Sequence, residues 1–197
     1  MLLATQHIQA QINTFMGVTV SPSLTGVRQT EASYRPGFSA GVSYIYWDFT
    51  NWFIKSGLEY TFRSSEILDY PEYFEGVRND PPVPVHMVFD QKNIMIPLTA
   101  YFAFFNKAEN ALLLTAGMEL MVTTSVSYSH DTYGKATLRG DDLDNRFKTH
   151  LGIGVGYQRQ LSRFLYLNAV PSFYMDVRSD RPFNSIRLTL ELIYGVY

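Results

Sequence analysis

Residues 52 to 62 constrain the fold more than any other stretch, because their parity admits one kind of backbone. Trp52, Ile54, Leu58, Tyr60 and Phe62 occupy one parity, and Lys55, Gly57, Glu59 and Thr61 the other. At a helical step of about 100° per residue these large apolar side chains would scatter around the circumference, whereas a pleated strand gathers them on one face. The segment is therefore a strand with an oily side and a charged side. Two further segments obey the same rule. Residues 110 to 123 set Leu112, Leu114, Ala116, Met118, Leu120 and Val122 against Thr115, Gly117, Glu119 and Thr123, and residues 185 to 197 set Ile186, Leu188, Leu190, Leu192, Tyr194 and Val196 against Arg187, Thr189, Glu191 and Gly195.

Five more strands complete a set of eight, at about 12–20, 37–47, 93–105, 147–158 and 163–176. In the segment 147–158, His150, Gly152, Gly154, Gly156 and Gln158 share the polar parity. Glycine on that parity suits a narrow barrel, whose interior has room only for side chains that fill it. Pro97 and Pro171 fall inside two of the strands. Proline donates nothing to a ladder, so each is expected at a bulge, or its segment is not a strand. The connections alternate in length: Trp47–Asn51, Asn106–Asn110 and Arg159–Arg163 are short, while 21–36, 64–92, 124–146 and 177–183 are longer. Short periplasmic turns and longer extracellular loops are the habit of transmembrane barrels. The reading is all-β: an eight-stranded antiparallel up-and-down transmembrane β-barrel with both ends of the chain in the periplasm.

The same parities also fit a soluble barrel of lipocalin type, a ligand carrier with its apolar face turned inward. The membrane reading is favoured by small residues crowding the charged face, by aromatics near strand ends (Tyr44, Tyr46, Trp52, Phe102, Phe104, Tyr157, Phe164, Phe173) and by the alternation of loop lengths. No run of about 18 apolar residues exists to cross a membrane as a helix. Leu2 to Ala4 followed by Gln9-Ala10-Gln11 looks like the tail of a secretory signal. Residues 1–11 are accordingly read as a signal-peptide remnant or disordered N-terminus, and 12–197 as a single β-barrel domain. The chain has no cysteine, which removes disulfides, Cys-ligated zinc and thiol catalysis, and its formal net charge of −2 points to no nucleic-acid partner.

The strand Ser56-Gly57-Leu58-Glu59-Tyr60, the strand Ile94-Met-Ile-Pro97-Leu, the strand Leu151-Gly-Ile-Gly-Val-Gly-Tyr157 and the aromatic-terminated Leu190-Glu-Leu-Ile-Tyr-Gly-Val-Tyr197 together resemble the PorT-like outer-membrane β-barrel family of Bacteroidota. The resemblance covers most of the chain. It implies a bacterial outer-membrane location and keeps open a role as an accessory barrel of a protein-secretion system. In that family a proline in the fourth strand is familiar. Tyr197 departs from the terminal pattern by lying on the inner parity.

On the polar parity, Glu59, Glu119 and Glu191 sit near mid-strand, with Lys55, Arg63, His150 and Arg187 as partners. Unpaired charges in a narrow lumen each cost several kcal/mol, about as much as a buried ion without its partner. The seven are therefore expected to form a structural ionic cluster that fills the lumen, with a gated ion path, as in a small channel, as the alternative. Ser125, Ser127 and Ser129 near His130 and Asp131 offer the residue types of a nucleophile and base, as a lipid A-modifying enzyme would need, but no spacing establishes that constellation. Gly152-Ile-Gly-Val-Gly156 lacks the spacing of a nucleotide loop, and Asp141-Asp-Leu-Asp144 lacks that of an EF-hand. No catalytic, cofactor-binding or metal residue is assigned. Tyr70, Tyr73 and Phe74, beside Pro81-Pro-Val-Pro-Val85, make the second long loop too apolar for an idle tether and are the expected loop contacts for a partner. Arg28, Arg35, Arg78, Arg139, Arg146, Arg178 and Arg181 lie in or beside the long loops, within reach of lipopolysaccharide phosphates. The expected partners are outer-membrane lipid, lipopolysaccharide and an envelope or secretion-system protein, with the barrel itself a monomer.

Overall fold

A computed structural model describes residues 13–27, 33–47, 51–72, 83–107, 109–130, 134–139, 146–177 and 183–196. Among the described residues there are nine strands: β1 (Asn13–Val27), β2 (Arg35–Trp47), β3 (Trp52–Glu72), β4 (Val83–Lys107), β5 (Asn110–His130), β6 (Gly134–Arg139), β7 (Phe147–Ser162), β8 (Leu165–Asp176) and β9 (Phe183–Val196). Eight of them close a barrel. Neighbours in sequence pair antiparallel around the ring, β5 passes to β7, and β9 returns to β1 through the register Thr14↔Val196 to Val27↔Phe183. The ninth, β6, pairs among the described residues with the end of β5.

The parity read from residues 52 to 62 sets the faces. Ile54, Leu58 and Tyr60 point outward and are exposed, while Lys55, Glu59 and Thr61 are buried in the lumen. The same division holds around the ring, from Val18 and Val42 to Ile153, Leu188 and Leu190 on the outside. A belt of large apolar side chains on every strand is a surface that water does not tolerate and lipid does. This overturns the lipocalin-type alternative, which needs the apolar parity inside. Aromatics cluster toward the short-turn end of the belt: Trp52 packs on Phe102 with ring centroids 4.7 Å apart, and Phe102 stacks on Phe104 at 6.4 Å. Asn51 closes one short turn at a φ of 80°, a left-handed conformation that asparagine adopts more readily than most residues.

Two expectations need correction. Pro97 and Pro171 sit at no bulge, and their segments are strands. The β3–β4 register is unchanged across Pro97, but the rungs between Ser56↔Leu98 and Glu59↔Met95 are missing. On the other side Pro97 pairs in register with Glu119. Pro171 behaves alike, omitting rungs to β7 while pairing with Leu188 of β9. A closed barrel accommodates proline by losing rungs on one side only, since ring closure and the other ladder hold the strand in place. The second correction concerns the long connections, because much of 21–36, 64–92 and 124–146 is strand. β3 and β4 remain paired as far as Glu72↔Val83, and β5 pairs with β6 from Ser125↔Arg139 to His130↔Gly134. The wall rises well beyond the apolar belt on this side. Residues 1–12 lie outside the described residues, as do Tyr73, Phe74, Arg28, Arg78, Arg178, Arg181, Asp131, Asp141–Asp144 and Tyr197.

Candidate functional site

The lumen carries the polar chemistry, and it is built by glycines on one strand making room for a large side chain on the next. Gly41 pairs with Glu59, and a Cβ at Gly41 would lie 2.6 Å from the Glu59 Cα. Gly152 pairs with Tyr174, and a Cβ there would lie 2.2 Å from the tyrosine ring. The sequence pattern of glycine on the inner parity therefore reports where bulky lumen groups lie.

All seven residues expected in the ionic cluster are buried in the lumen, but they form two groups. In the first, Lys55 Nζ stands 3.0 Å from Glu191 Oε1 and 3.5 Å from Glu59 Oε1, one ammonium between two carboxylates. Hydroxyls and an amide complete the set. Ser39 donates to Glu59 at 2.9 Å, while Ser43, Thr19 and Asn168 donate to Glu191 at 2.7, 3.2 and 3.3 Å. In the second group Glu119 receives Arg187 through Nη1 at 2.5 Å and Nη2 at 3.2 Å, and Arg63 Nη2 at 3.3 Å. His150 Nδ1 lies 3.0 Å from Arg63 Nη1, and its Nε2 lies 3.8 Å from Asp176 Oδ2. The Arg187 guanidinium also stands over the Tyr174 ring, 4.7 Å from its centroid. Every one of the seven charged or titratable groups has a partner of opposite charge or a hydrogen bond, as low-dielectric burial demands.

Below the ionic groups, at the short-turn end, the lumen is closed by an apolar floor. Phe15, Ile45, Phe53, Tyr101, Leu113 and Ile193 are buried together, with Phe53 stacked on Tyr101 at 4.5 Å and Phe15 edge-on to Tyr166 at 5.8 Å. Sequence reasoning missed this floor, although the signal is simple: an apolar residue on the polar parity close to a short turn, as at Ile45 and Phe53. It also gave no role to Thr19, Ser39, Ser43, Asn168, Tyr174 or Asp176. Asp176 is found only by pairing, since it stands opposite His150 across β7 and β8.

At the other end of the barrel the faces exchange. A bulge between Lys92 and Asn93 of β4 leaves Thr124 of β5 without a register partner, and its hydroxyl donates to the Lys92 carbonyl at 3.0 Å. One extra residue reverses the parity of everything beyond it. Below the bulge β5 turns Leu120 and Val122 outward; above it Ser125, Ser127 and Ser129 occupy the outward rows, and Val126 and Tyr128 the inward rows. His130 ends β5, paired in register with Met87 of β4 and Gly134 of β6. Tyr70 lies on β3 opposite Val85. Earlier on the same strand, Glu66 accepts from Arg35 Nε at 2.8 Å and from Ser33. The hydrogen bond and the charge of Glu66 hold the Arg35 pKa above its ordinary value. Among the described residues, no group of three His, Asp or Glu side chains is arranged to hold a metal ion.

The family described as outer membrane protein beta-barrel domain matches residues 5–187. Among solved structures, Neisserial surface protein A is similar, with a TM-score of 0.55 at 15% identity, over 92% of this chain and 96% of that one. Ail, the attachment invasion locus protein of Yersinia pestis, has a TM-score of 0.49 at 14% identity, over 94% and 99% of the two chains. OprG of Pseudomonas aeruginosa has a TM-score of 0.49 at 9% identity, over 95% and 98%. At such identities the likeness is one of fold. No curated protein matches the sequence.

Proposed function

Since the chain belongs to the outer membrane protein β-barrel domain family and resides in the bacterial outer membrane, we propose that it is a non-conducting barrel that serves binding or envelope organisation through its extracellular hairpins. The observation that carries this reading is the stacking of two filled ionic groups on an apolar floor. Moving a hydrated ion along that axis would require breaking paired, desolvated charges and then crossing a layer of apolar side chains, each at a cost of several kcal/mol. The differentiated surface that remains is the tall wall of β3, β4, β5 and β6 beyond the bulge.

The finer assignment to the PorT-like barrels rests on the motifs of β3, β4, β7 and β9, and with it comes the reading of an accessory barrel for protein secretion. Two measurements test the proposal. Purified protein in planar bilayers should be silent, and removal of residues 68–86 should abolish surface function while leaving a heat-modifiable, folded barrel. Steady single-channel conductance in the wild type, lost on Glu119→Gln, would replace this reading with that of a small channel.

A further inference from the structure

We propose that an apolar groove on the lipid-facing wall, where β9, β1 and β2 adjoin, seats an acyl chain of a periplasmic-leaflet glycerophospholipid whose phosphate is held by Arg163 and Arg159. The inference rests on the outer-membrane location above and adds a ligand at the end of the barrel opposite the extracellular hairpins. The groove measures about 500 Å³, within the range of clefts that take small ligands. Its floor is backbone. Ser43 stands in register with Gly17 on one side and Gly57 on the other, and all three positions belong to the inward parity, so none projects into the groove. Its walls are outward side chains: Met16 and Val18 of β1, Val42 and Tyr44 of β2, and Leu192 and Tyr194 of β9. All six are exposed, so the groove opens to hydrocarbon and not to the lumen.

Toward the short-turn end, the periplasmic side of such a barrel, the groove meets cations. Leu165 lines it beside its register partner Tyr194, and the Gly195 amide donates to the Phe164 carbonyl at 2.8 Å. The turn that carries Arg163 is thereby tied to the strand that walls the groove. The Arg163 guanidinium stands over the Phe164 ring, 5.1 Å from its centroid, which holds a charge at the depth where an aromatic belt meets lipid headgroups. Arg159 is the second cation. It pairs with Leu167, which in turn pairs with Leu192 of the groove wall, so it lies two strands from the groove, roughly 10 Å at the usual interstrand spacing. The neighbouring carboxylate, Glu109, adjoins Asn110 on the β5 side of Arg159, whereas Arg163 lies on the β9 side, toward the groove. A glycerophospholipid fits this arrangement because its chain occupies the apolar walls while its phosphate, one step nearer the turns, accepts charge-assisted bonds from the guanidiniums. A second copy of the chain fits less well, since two grooves meeting about an axis along the membrane normal would set their arginines side by side without an anion.

The test is retention of lipid by the full chain, purified in mild detergent and examined by native mass spectrometry. The probes are dioleoyl phosphatidylglycerol and dioleoylglycerol, which share their acyl chains and differ by the headgroup phosphate. Wild type should retain the phospholipid at least about tenfold better, the ratio that one charge-assisted contact confers. Arg159→Gln combined with Arg163→Gln should bring the two lipids to parity. Val42→Trp, which fills the groove from its wall and leaves both arginines in place, should lower retention of both. These positions lie outside the lumen, and heat-modifiable migration shows that each variant barrel has formed; Val18→Phe fills the same groove should Val42→Trp not fold. Equal retention of both lipids by the wild type would overturn the proposal, as would a preference that survives in the folded double variant, or retention that filling the groove leaves unchanged. A lipid-free dimer of the wild type that Val42→Trp dissociates would overturn the lipid as occupant and put a second copy in its place. Bilayer silence and the 68–86 deletion probe the lumen and the extracellular hairpins, so failure here is separable from failure of the functional reading.

Discussion

Arg187 grips Glu119 in a two-pronged pair, Nη1 to Oε1 at 2.5 Å and Nη2 to Oε2 at 3.2 Å, with both side chains almost wholly buried. Glu119 also holds Arg63, so one carboxylate neutralises parts of two guanidiniums. Its removal leaves both exposed to each other in a medium that cannot screen them. Glu119→Ala should therefore destabilise the folded barrel by about 3–5 kcal/mol, the range for breaking a buried pair from one side. Denaturant unfolding in detergent, followed by the heat-dependent gel shift, measures this. A loss below about 1 kcal/mol would mean that the group is solvated.

Lys55 poses the opposite arithmetic, since a single ammonium stands between the carboxylates of Glu59 and Glu191 and, among the described residues, is the cation paired with both. Lys55→Met should destabilise by several kcal/mol through two uncompensated carboxylates. Adding Glu191→Gln to that variant should recover part of the loss, because it removes one of the two charges left behind. The double-mutant cycle should give a coupling between about 0.5 and 3 kcal/mol, and additive effects would refute contact between the two.

The glycines that frame the lumen divide into two kinds. At Gly41 an added Cβ would meet the Leu58 carbonyl oxygen at 2.1 Å, and at Gly152 it would meet the Tyr174 ring at 2.2 Å. Backbone cannot withdraw, whereas a side chain can be replaced. Gly41→Ala and Gly152→Ala should each cost about 1–3 kcal/mol, typical of overpacking. Tyr174→Ser should rescue Gly152→Ala and leave Gly41→Ala unimproved, as read from unfolding midpoints of the four variants.

The fold was legible because a lipid-facing barrel writes its parity into the chain, and the inward position of Lys55, Glu59, Arg63, Glu119, His150, Arg187 and Glu191 followed from that parity. Their division into two groups was not legible, because it depends on which strands adjoin and in what register. Glu191 and Lys55, for example, lie on strands separated by two others in the ring. Pro97 and Pro171 were misjudged because strand rules for proline describe an open sheet. Ser125 to Ser129 were read as a loop because the bulge at Thr124, which turns them outward, has no composition signature. It reverses a pattern that still alternates.

That bulge makes a prediction of its own. Inserting one alanine between Lys92 and Asn93 gives Thr124 a partner and removes the bulge, which sends Val126 and Tyr128 outward beyond the lipid and the serines, with Lys92, inward. The barrel below should still form and show its heat-dependent shift, because the pairings from Asn93↔Thr123 downward are untouched. The hairpin of β5 and β6 should lose its ordered pairing, so that protease added to intact cells cuts within 124–146 in the variant and not in the wild type. Equal resistance would show that the bulge does not set the faces of the hairpin.

The outward assignment itself is tested at Ile153, which is 67% exposed on β7 near the middle of the apolar belt. On a water-facing wall, Ile153→Arg would be close to neutral, as exposed substitutions usually are. Facing lipid at mid-depth it should cost about 2–4 kcal/mol, and the same change near the rim, at Phe147→Arg, about 0–1 kcal/mol. Folding into lipid vesicles titrated with denaturant reads both values. The gradient between the two positions is the decisive quantity. Desolvation in hydrocarbon depends on depth, whereas a packing defect at either residue would not fall away toward the headgroups.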